Sequence, residues 1–566
     1  MRKPYQVWLP ILLICLATGA ASAQSFRVQC PASTITHPDP NNSGVNNAEP
    51  AYSGPTVFTC SVLNGCGGSA GNVGYLVPSS NVNGAIKCQQ ISGGDGYATM
   101  ADGTQTFMFS FGPLSGLADI ANGQPGTEFP STFNTQYTGP ALQPGDPATT
   151  NGAGDSPYSV GSPIFNYNGA IGEVPDLDCI AANNAALAAN PPLPLPCPNT
   201  PMKGPFFGMD GHVDPRQIMD VGVMNGNIPA PLIAFDEDDE FFLTLTNVGM
   251  IMRPDLFEQH TVHFHGYPNA SSFYDGVPDA SVAINIGGSF TYYYLAPDAG
   301  TYFWHCHITP PEHLQMGMVG QLYVRPRQNR VPNTTTLYAA LQQQESDLRT
   351  GCNPNADILC SHNLPAVQTT AVGGGKYAYN DGDGSTYYDV EYPLQIHGFD
   401  PNFHFVGMTF NPEAFVDMKD KYFLLNGRSY PDTVSAGPQA TQSSDGKMHY
   451  SQPMNSIINI PAGGKALLRI ADLDVSEYQT LASLGIPMHV IGYNAKLLRD
   501  QEGNNMDYYS NSITLGGGES LDVILDASNK TLYPTGSVFY LYTPNLDHLS
   551  NDAENFGGLM TEVHIN

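Results

Sequence analysis

Two short stretches of the chain concentrate side chains able to bind a soft metal ion. The first reads His260-Thr261-Val262-His263-Phe264-His265-Gly266, and the second reads Trp304-His305-Cys306-His307 and continues through Glu312 and His313 to Met316, Gly317 and Met318. If each stretch is a strand, its side chains alternate between faces, so His263 and His265 share one face while His260 lies on the other. In the second stretch His305 and His307 share a face, and Cys306 points away from both. Pairing the two strands therefore gives one face with four imidazoles and an opposite face with His260 and Cys306. One thiolate, two imidazoles and a distant thioether are the donor set of an electron-transfer copper site, and His260, Cys306, His313 and Met318 supply it. Four imidazoles suit copper that binds oxygen, and a thiolate flanked by His305 and His307 offers a short covalent route for an electron between the two sites. Zinc is the rival ion, but structural zinc sites favour several cysteines at short spacing rather than one cysteine with a methionine.

The elements that must hold these residues are strands. The chain has 566 residues, enough for several domains, with 59 Gly, 47 Pro and only 13% charged residues, a balance that favours strands joined by many turns. Phe241 to Thr246 alternates apolar and polar residues as a half-buried strand does, and Thr106 to Phe111 also has strand character. The expected fold class is all-β. The expected division is a leader over 1–23, a Gly/Pro/Asn-rich, cysteine-containing extension over 24–205 able to lend a first strand to the next domain, a metal-binding β domain over 206–328, a linker over 329–385 and a second β domain over 386–566.

Composition also bounds the partners. The formal charge is −30, which repels nucleic acid and anionic lipid and attracts cations. Arg2 and Lys3, the apolar Val7 to Ala20 and Ala21-Ser22-Ala23 form a signal peptide, and no later segment is apolar for long enough to span a membrane; a secreted or periplasmic location is expected. Without Cys15 nine cysteines remain, and Cys306 between two histidines is the odd one, which leaves an even set for disulfides in an oxidising compartment, with Cys60/Cys66 and Cys352/Cys360 as close pairs.

The segments HTVHFHG, YDGVP (Tyr274 to Pro278), PDAGTYFWHCH and EHLQMGM resemble the multicopper oxidases, a family that includes laccases, ceruloplasmin and bacterial metal oxidases. The resemblance covers about 215 to 566 and implies tandem cupredoxin-like Greek-key β-sandwich domains. It implies that His260, Cys306, His313 and Met318 bind type 1 copper, and that His263, His265, His305 and His307 contribute to a type 2/type 3 cluster. The interval from Cys306 to His313 is longer than the family commonly has and is stiffened by Pro310-Pro311; the retained His-x4-Met spacing favours Met318 over Met316 as the axial ligand. Asp275 and Glu312 are the candidate proton-supplying acids. The substrates implied are O2 and a small one-electron donor, a metal ion such as Mn(II), Fe(II) or Cu(I), or a phenol.

A second domain comes next in which Ile486 to Tyr493 lies against His260 to Tyr267, and Phe539 to Tyr542 against Trp304 to His307, so it reads as a repeat that has lost its copper, with His489 and His548 as structural residues. The family's cluster takes eight histidines from two copper-binding domains, and only four are in place here. A homo-oligomer or a partner subunit would have to supply the others. The alternatives are a type 1 electron carrier or copper-binding protein without oxidase activity, and, less favoured, a copper nitrite reductase.

Overall fold

The computed structural model describes residues 85–116, 123–133, 177–194, 226–250, 258–267, 271–296, 298–330, 376–407, 414–442 and 448–566, with a few further positions such as Cys30. The leader, most of the segment 134–225 and the connector with Cys352 and Cys360 lie outside them. The described chain is nearly all β, as expected.

The first sandwich has two sheets. One contains β1 (Ile86–Thr99), β2 (Gln105–Pro113), β4 (Glu240–Gly249) and β6 (Ser289–Leu295) in the order β2-β1-β4-β6. The other contains β3 (Ala230–Asp236), β5 (His263–His265), β7 (Gly300–His305) and β8 (Val319–Arg325) in the order β3-β8-β7-β5. Two strands from the segment read as an N-terminal extension are thus built into this sandwich: β1 runs parallel to β4 over Ile86–Gly94. A disulfide joins Cys30 to Cys88 on β1, and Cys306 is the free, buried thiol among the described residues. Cys60 and Cys66 face each other across a two-residue antiparallel ladder.

Between β7 and β8 lies the short helix α1 (Pro310–Gln315), entered through Thr309 at φ 38° and opened by Pro310 and Pro311. Proline fits there because the first helical N–H groups have no intrahelical partner. The core between the sheets holds Phe111, Ile233, Leu243, Phe264, Tyr292, Trp304, Cys306 and Met318.

The second sandwich repeats this plan. One sheet runs β10 (Tyr422–Leu425), β9 (Val390–Phe399), β12 (Lys465–Asp472), β16 (Glu519–Asp526), β14 (Met488–Tyr493), and the other runs β11 (Ile458–Ile460), β18 (Met560–Ile565), β17 (Val538–Tyr542), β13 (Gln479–Leu484), β15 (Ser512–Leu515). β9 and β12 are parallel as β1 and β4 are, and β11 and β18 are parallel as β3 and β8 are. These are tandem cupredoxin-like sandwiches.

The topology corrects the internal alignment read from sequence. Ile486 to Tyr493 falls on β14, which pairs with β16 in the opposite sheet from β17. The true counterpart of β5 is β13, which pairs with β17 as β5 pairs with β7. His263 opposite His305 is matched by Ala482 opposite Tyr542, and His265 opposite Phe303 by Leu484 opposite Tyr540. The sequence match misled because Ile486 to Tyr493 shares its histidine and its Gly-Tyr ending with His260 to Tyr267, whereas β13 reads QTLASL, and a short local match does not reveal a strand's pairing partner. On the corrected register Ala482, Leu484 and Tyr542 stand where the first sandwich has His263, His265 and His305.

The outward face of β7 packs on the second sandwich. Phe303 and Val319 join Ala471 and Leu473 in one apolar cluster, Thr301 Oγ1 donates to Asp522 at 2.5 Å, and Ser520 Oγ donates to the Thr301 carbonyl at 2.7 Å. Buried between the domains, Arg469 is paired with Glu391 at 3.0 Å and lies 3.7 Å from Asp522 and 4.6 Å from the centre of the Tyr323 ring.

Candidate metal centre

Alternation along β5 and β7 separates two groups of ligands. Phe264 and Trp304 pair across the ladder and point into the core, so His263, His265, Phe303 and His305 face outward. His263 is the centre of the outward group: its ring centroid is 5.3 Å from that of His305, 5.1 Å from that of His307 and 6.0 Å from that of His265. Ligand nitrogens of His263, His265 and His305 all lie within 4.8 Å of one another. His263 Nδ1 donates to the Asp275 carbonyl at 2.7 Å and His305 Nδ1 donates to the Cys306 carbonyl at 2.7 Å. Each of these two rings therefore carries its lone pair on Nε2, that of His305 facing His265 Nδ1 at 3.4 Å. Burial and the neighbouring imidazoles push His265 down to about 4 and His305 down to about 3, so both are neutral, as ligands must be.

On the core side, His260, Cys306 and His313 converge with ligand atoms within 4.8 Å of one another, all three buried. His313 Nδ1 is 3.3 Å from Cys306 Sγ, and the Thr261 N–H donates to the same sulfur at 3.5 Å. Burial opposes ionisation of the thiol, but His313 and His260 outweigh it and hold Cys306 well below the ordinary thiol range. Burial disfavours the charge on His313 as well, yet Cys306 and Glu258 hold it up at about 9. Burial pushes His260 down. Both ring nitrogens of His260 are buried without a hydrogen-bond partner. An orphaned imidazole beside a thiolate in an apolar core is costly unless an ion completes it, and this soft sulfur-nitrogen set fits copper.

Met318 is fully buried in the same core as Cys306; its carbonyl accepts from the Cys306 N–H at 3.1 Å, and its own N–H donates to the His313 carbonyl at 2.9 Å. Met316 is fully buried in the same core and also lies beside Gly407 of the second domain, where a β-carbon would come within 3.7 Å of its sulfur. Between the two methionines the chain turns through Gly317 at φ +118°, a conformation that only glycine adopts without strain.

The two candidate acids part company. Asp275 stays with the outward imidazoles, its Oδ2 3.5 Å from His263 Nδ1. Glu312 is raised by burial, and its charged neighbours are His313, Glu258 and Arg253, on the thiolate side. In the second sandwich His548 is satisfied by Gln479 at 2.9 Å and Glu477 at 2.7 Å, and His489 lies 3.0 Å from Asp507 and stacks on Tyr509.

Glu258 was missed in the sequence. Its Oε2 is 3.5 Å from His313 Nε2 and its side chain is 30% exposed, so it connects the buried imidazole to solvent. A glutamate two residues before His260 carries no motif, and only the return of α1 brings His313 to it.

A multicopper oxidase family model matches residues 210–329. A multicopper oxidase of Talaromyces pinophilus is 35% identical over 120 residues, covering 21% of this chain and 18% of that protein. A laccase of Aspergillus fumigatus is 31% identical over 128 residues, covering 22% and 20%. The chain thus matches about a fifth of the length of these relatives. Among solved structures, a blue copper oxidase from Nitrosomonas europaea aligns over 60% of this chain and 78% of its own at 21% identity, with a TM-score of 0.39. The segment that brings His260, Cys306 and His313 together lies within the residues that match the multicopper oxidase model.

Proposed function

We propose that this protein is an exported multicopper oxidase that takes electrons one at a time from a small donor and passes them to O2. The observation that carries this reading is the back-to-back placement of the two ligand groups on one strand pair, with Cys306 covalently between His305 and His307. His260, Cys306, His313 and Met318 would hold type 1 copper, and His263, His265, His305 and His307 would hold their share of a type 2/type 3 cluster. Copper there would supply one-electron redox chemistry and O2 binding. Glu258 would meet the donor at His313, and its charge, with the acidic surface, suits Mn(II), Fe(II) or Cu(I). Asp275 would pass protons on the outward side.

Because Ala482, Leu484 and Tyr542 stand at the second domain's equivalent positions, the remaining histidines would come from another copy of the chain, closed symmetric assemblies being the commonest. The same observation favours the second reading, a type 1 electron carrier with no oxidase activity. Copper content with optical and spin-resonance spectra, together with oxygen uptake in the presence of Fe(II) or a phenol, separates the two. More than one copper per chain with turnover supports the oxidase, while one blue copper and no oxygen consumption supports the carrier.

A further inference from the structure

The helix that carries His313 is held from the second domain. The Leu314 carbonyl accepts from His397 Nε2 at 2.9 Å. The Gln315 side chain donates to Asp420 Oδ1 at 2.9 Å and accepts from the Asp400 N–H at 3.1 Å. The Gln315 carbonyl is met by His404 Nε2 at 2.9 Å. His397 lies on β9 and His404 on the adjoining helix α2 (Pro401–Gly407). α2 is itself tied back to the first domain, because Arg253 Nη1 donates to the Gly407 carbonyl and Met316 packs beside Gly407.

His404 reaches a second backbone segment as well. Its Nδ1 faces the Phe107 carbonyl at 2.6 Å. Phe107 lies on β2 two residues before Phe109, whose ring meets His313 at 5.1 Å and His260 at 6.5 Å between centroids. The His404 ring is fully buried and stacks on Phe399 at 3.7 Å. Both of its nitrogens face carbonyl oxygens, and burial pushes its pKa down to about 3, so at neutral pH its single proton serves one carbonyl at a time. One side chain of the copper-free domain thus bridges β2, which covers the two imidazoles, and α1, which carries one of them.

We propose that His404 is a positioning residue for the copper site, and that the second domain fixes the Cys306 to Met318 loop through it. The inference rests on the type 1 reading of His260, Cys306 and His313. It accounts for the long interval between Cys306 and His313: the added residues, with Pro310 and Pro311, carry α1 out to where His397, His404 and Asp420 take hold of it. Groups that orient ligands from outside the coordination shell tune a metal without touching it.

The test uses the full-length, copper-loaded chain. His404→Phe keeps the ring and its stacking on Phe399 but removes both nitrogens, and His404→Gln restores a donor. The phenylalanine variant is expected to keep type 1 copper while shifting the blue absorption maximum, the copper hyperfine splitting and the reduction potential, and the glutamine variant to return all three toward wild type. Unchanged spectra and potential in a folded His404→Phe protein would overturn the proposal. Leu468→Val, in the second domain's core, should lower the melting temperature without moving the spectrum; an equal spectral shift there would reduce His404 to general stability and defeat the inference. Should His404→Phe not fold, Gln315→Met must show the shift, and its absence counts against the proposal. A wild-type chain that takes up copper without blue colour refutes the type 1 reading itself, independently of any variant.

Discussion

The ring of His260 lies directly beneath the backbone of Gly93, where a β-carbon would stand 2.7 Å from His260 Cδ2. A strand from the chain's first hundred residues therefore forms the roof of the candidate metal centre, where a side chain would crowd the ring. Gly93→Ala should push the imidazole aside and lower stability by about 1–3 kcal/mol, the usual cost of overpacking. The checks are a thermal melt and the blue absorption of the copper-loaded protein, which should shift or weaken; an unchanged band would mean that the strand yields instead of the ring.

Cys306→Ser removes the sulfur that His313, His260 and the Thr261 N–H converge on. The intense blue absorption should vanish while outward-face copper, if bound, remains measurable by metal analysis. Surviving colour would show that the thiolate is not the ligand.

Glu258→Gln removes the charge 3.5 Å from His313 Nε2. With Fe(II) as donor, kcat/KM should fall roughly tenfold, corresponding to about 1.4 kcal/mol, whereas an uncharged phenol should be affected less. Steady-state kinetics with both donors decides it, and equal losses would remove the case for electrostatic recognition of cations.

Glu391 supplies a pH dependence unrelated to the metal. Burial raises its pKa, but the guanidinium groups of Arg325 and Arg469 outweigh burial and hold it at about 2, below the ordinary 4.5. The folded state therefore binds the proton less well than the unfolded chain. This contribution, about 3 kcal/mol, is fully present above pH 4.5 and is lost as pH falls from there through about 2. Denaturation of wild type and Glu391→Gln from about pH 7 down to about pH 2 should show a gap that closes over that window. A constant gap would mean that the charge is not what stabilises the interface.

Local sequence determined which side of the strand pair each candidate ligand takes. Alternation along a strand separates His263, His265 and His305 from Phe264 and Trp304, and the same parity carried past the strand ends puts His260 and Cys306 on the core side, so the two groups were legible before any pairing was known. The interval from His313 to Met318 is a sequence argument of a different kind, since Met316 and Met318 are both buried in the core that holds Cys306. What only tertiary structure decided depends on contacts between residues far apart in sequence. β13, not the apolar run at Ile486, is the counterpart of β5; Gly93 covers His260; Glu258 meets His313; His404 holds α1. None of these leaves a periodic signal in its own segment, because each partner is chosen by how the sheets pack and not by the covalent geometry of one strand.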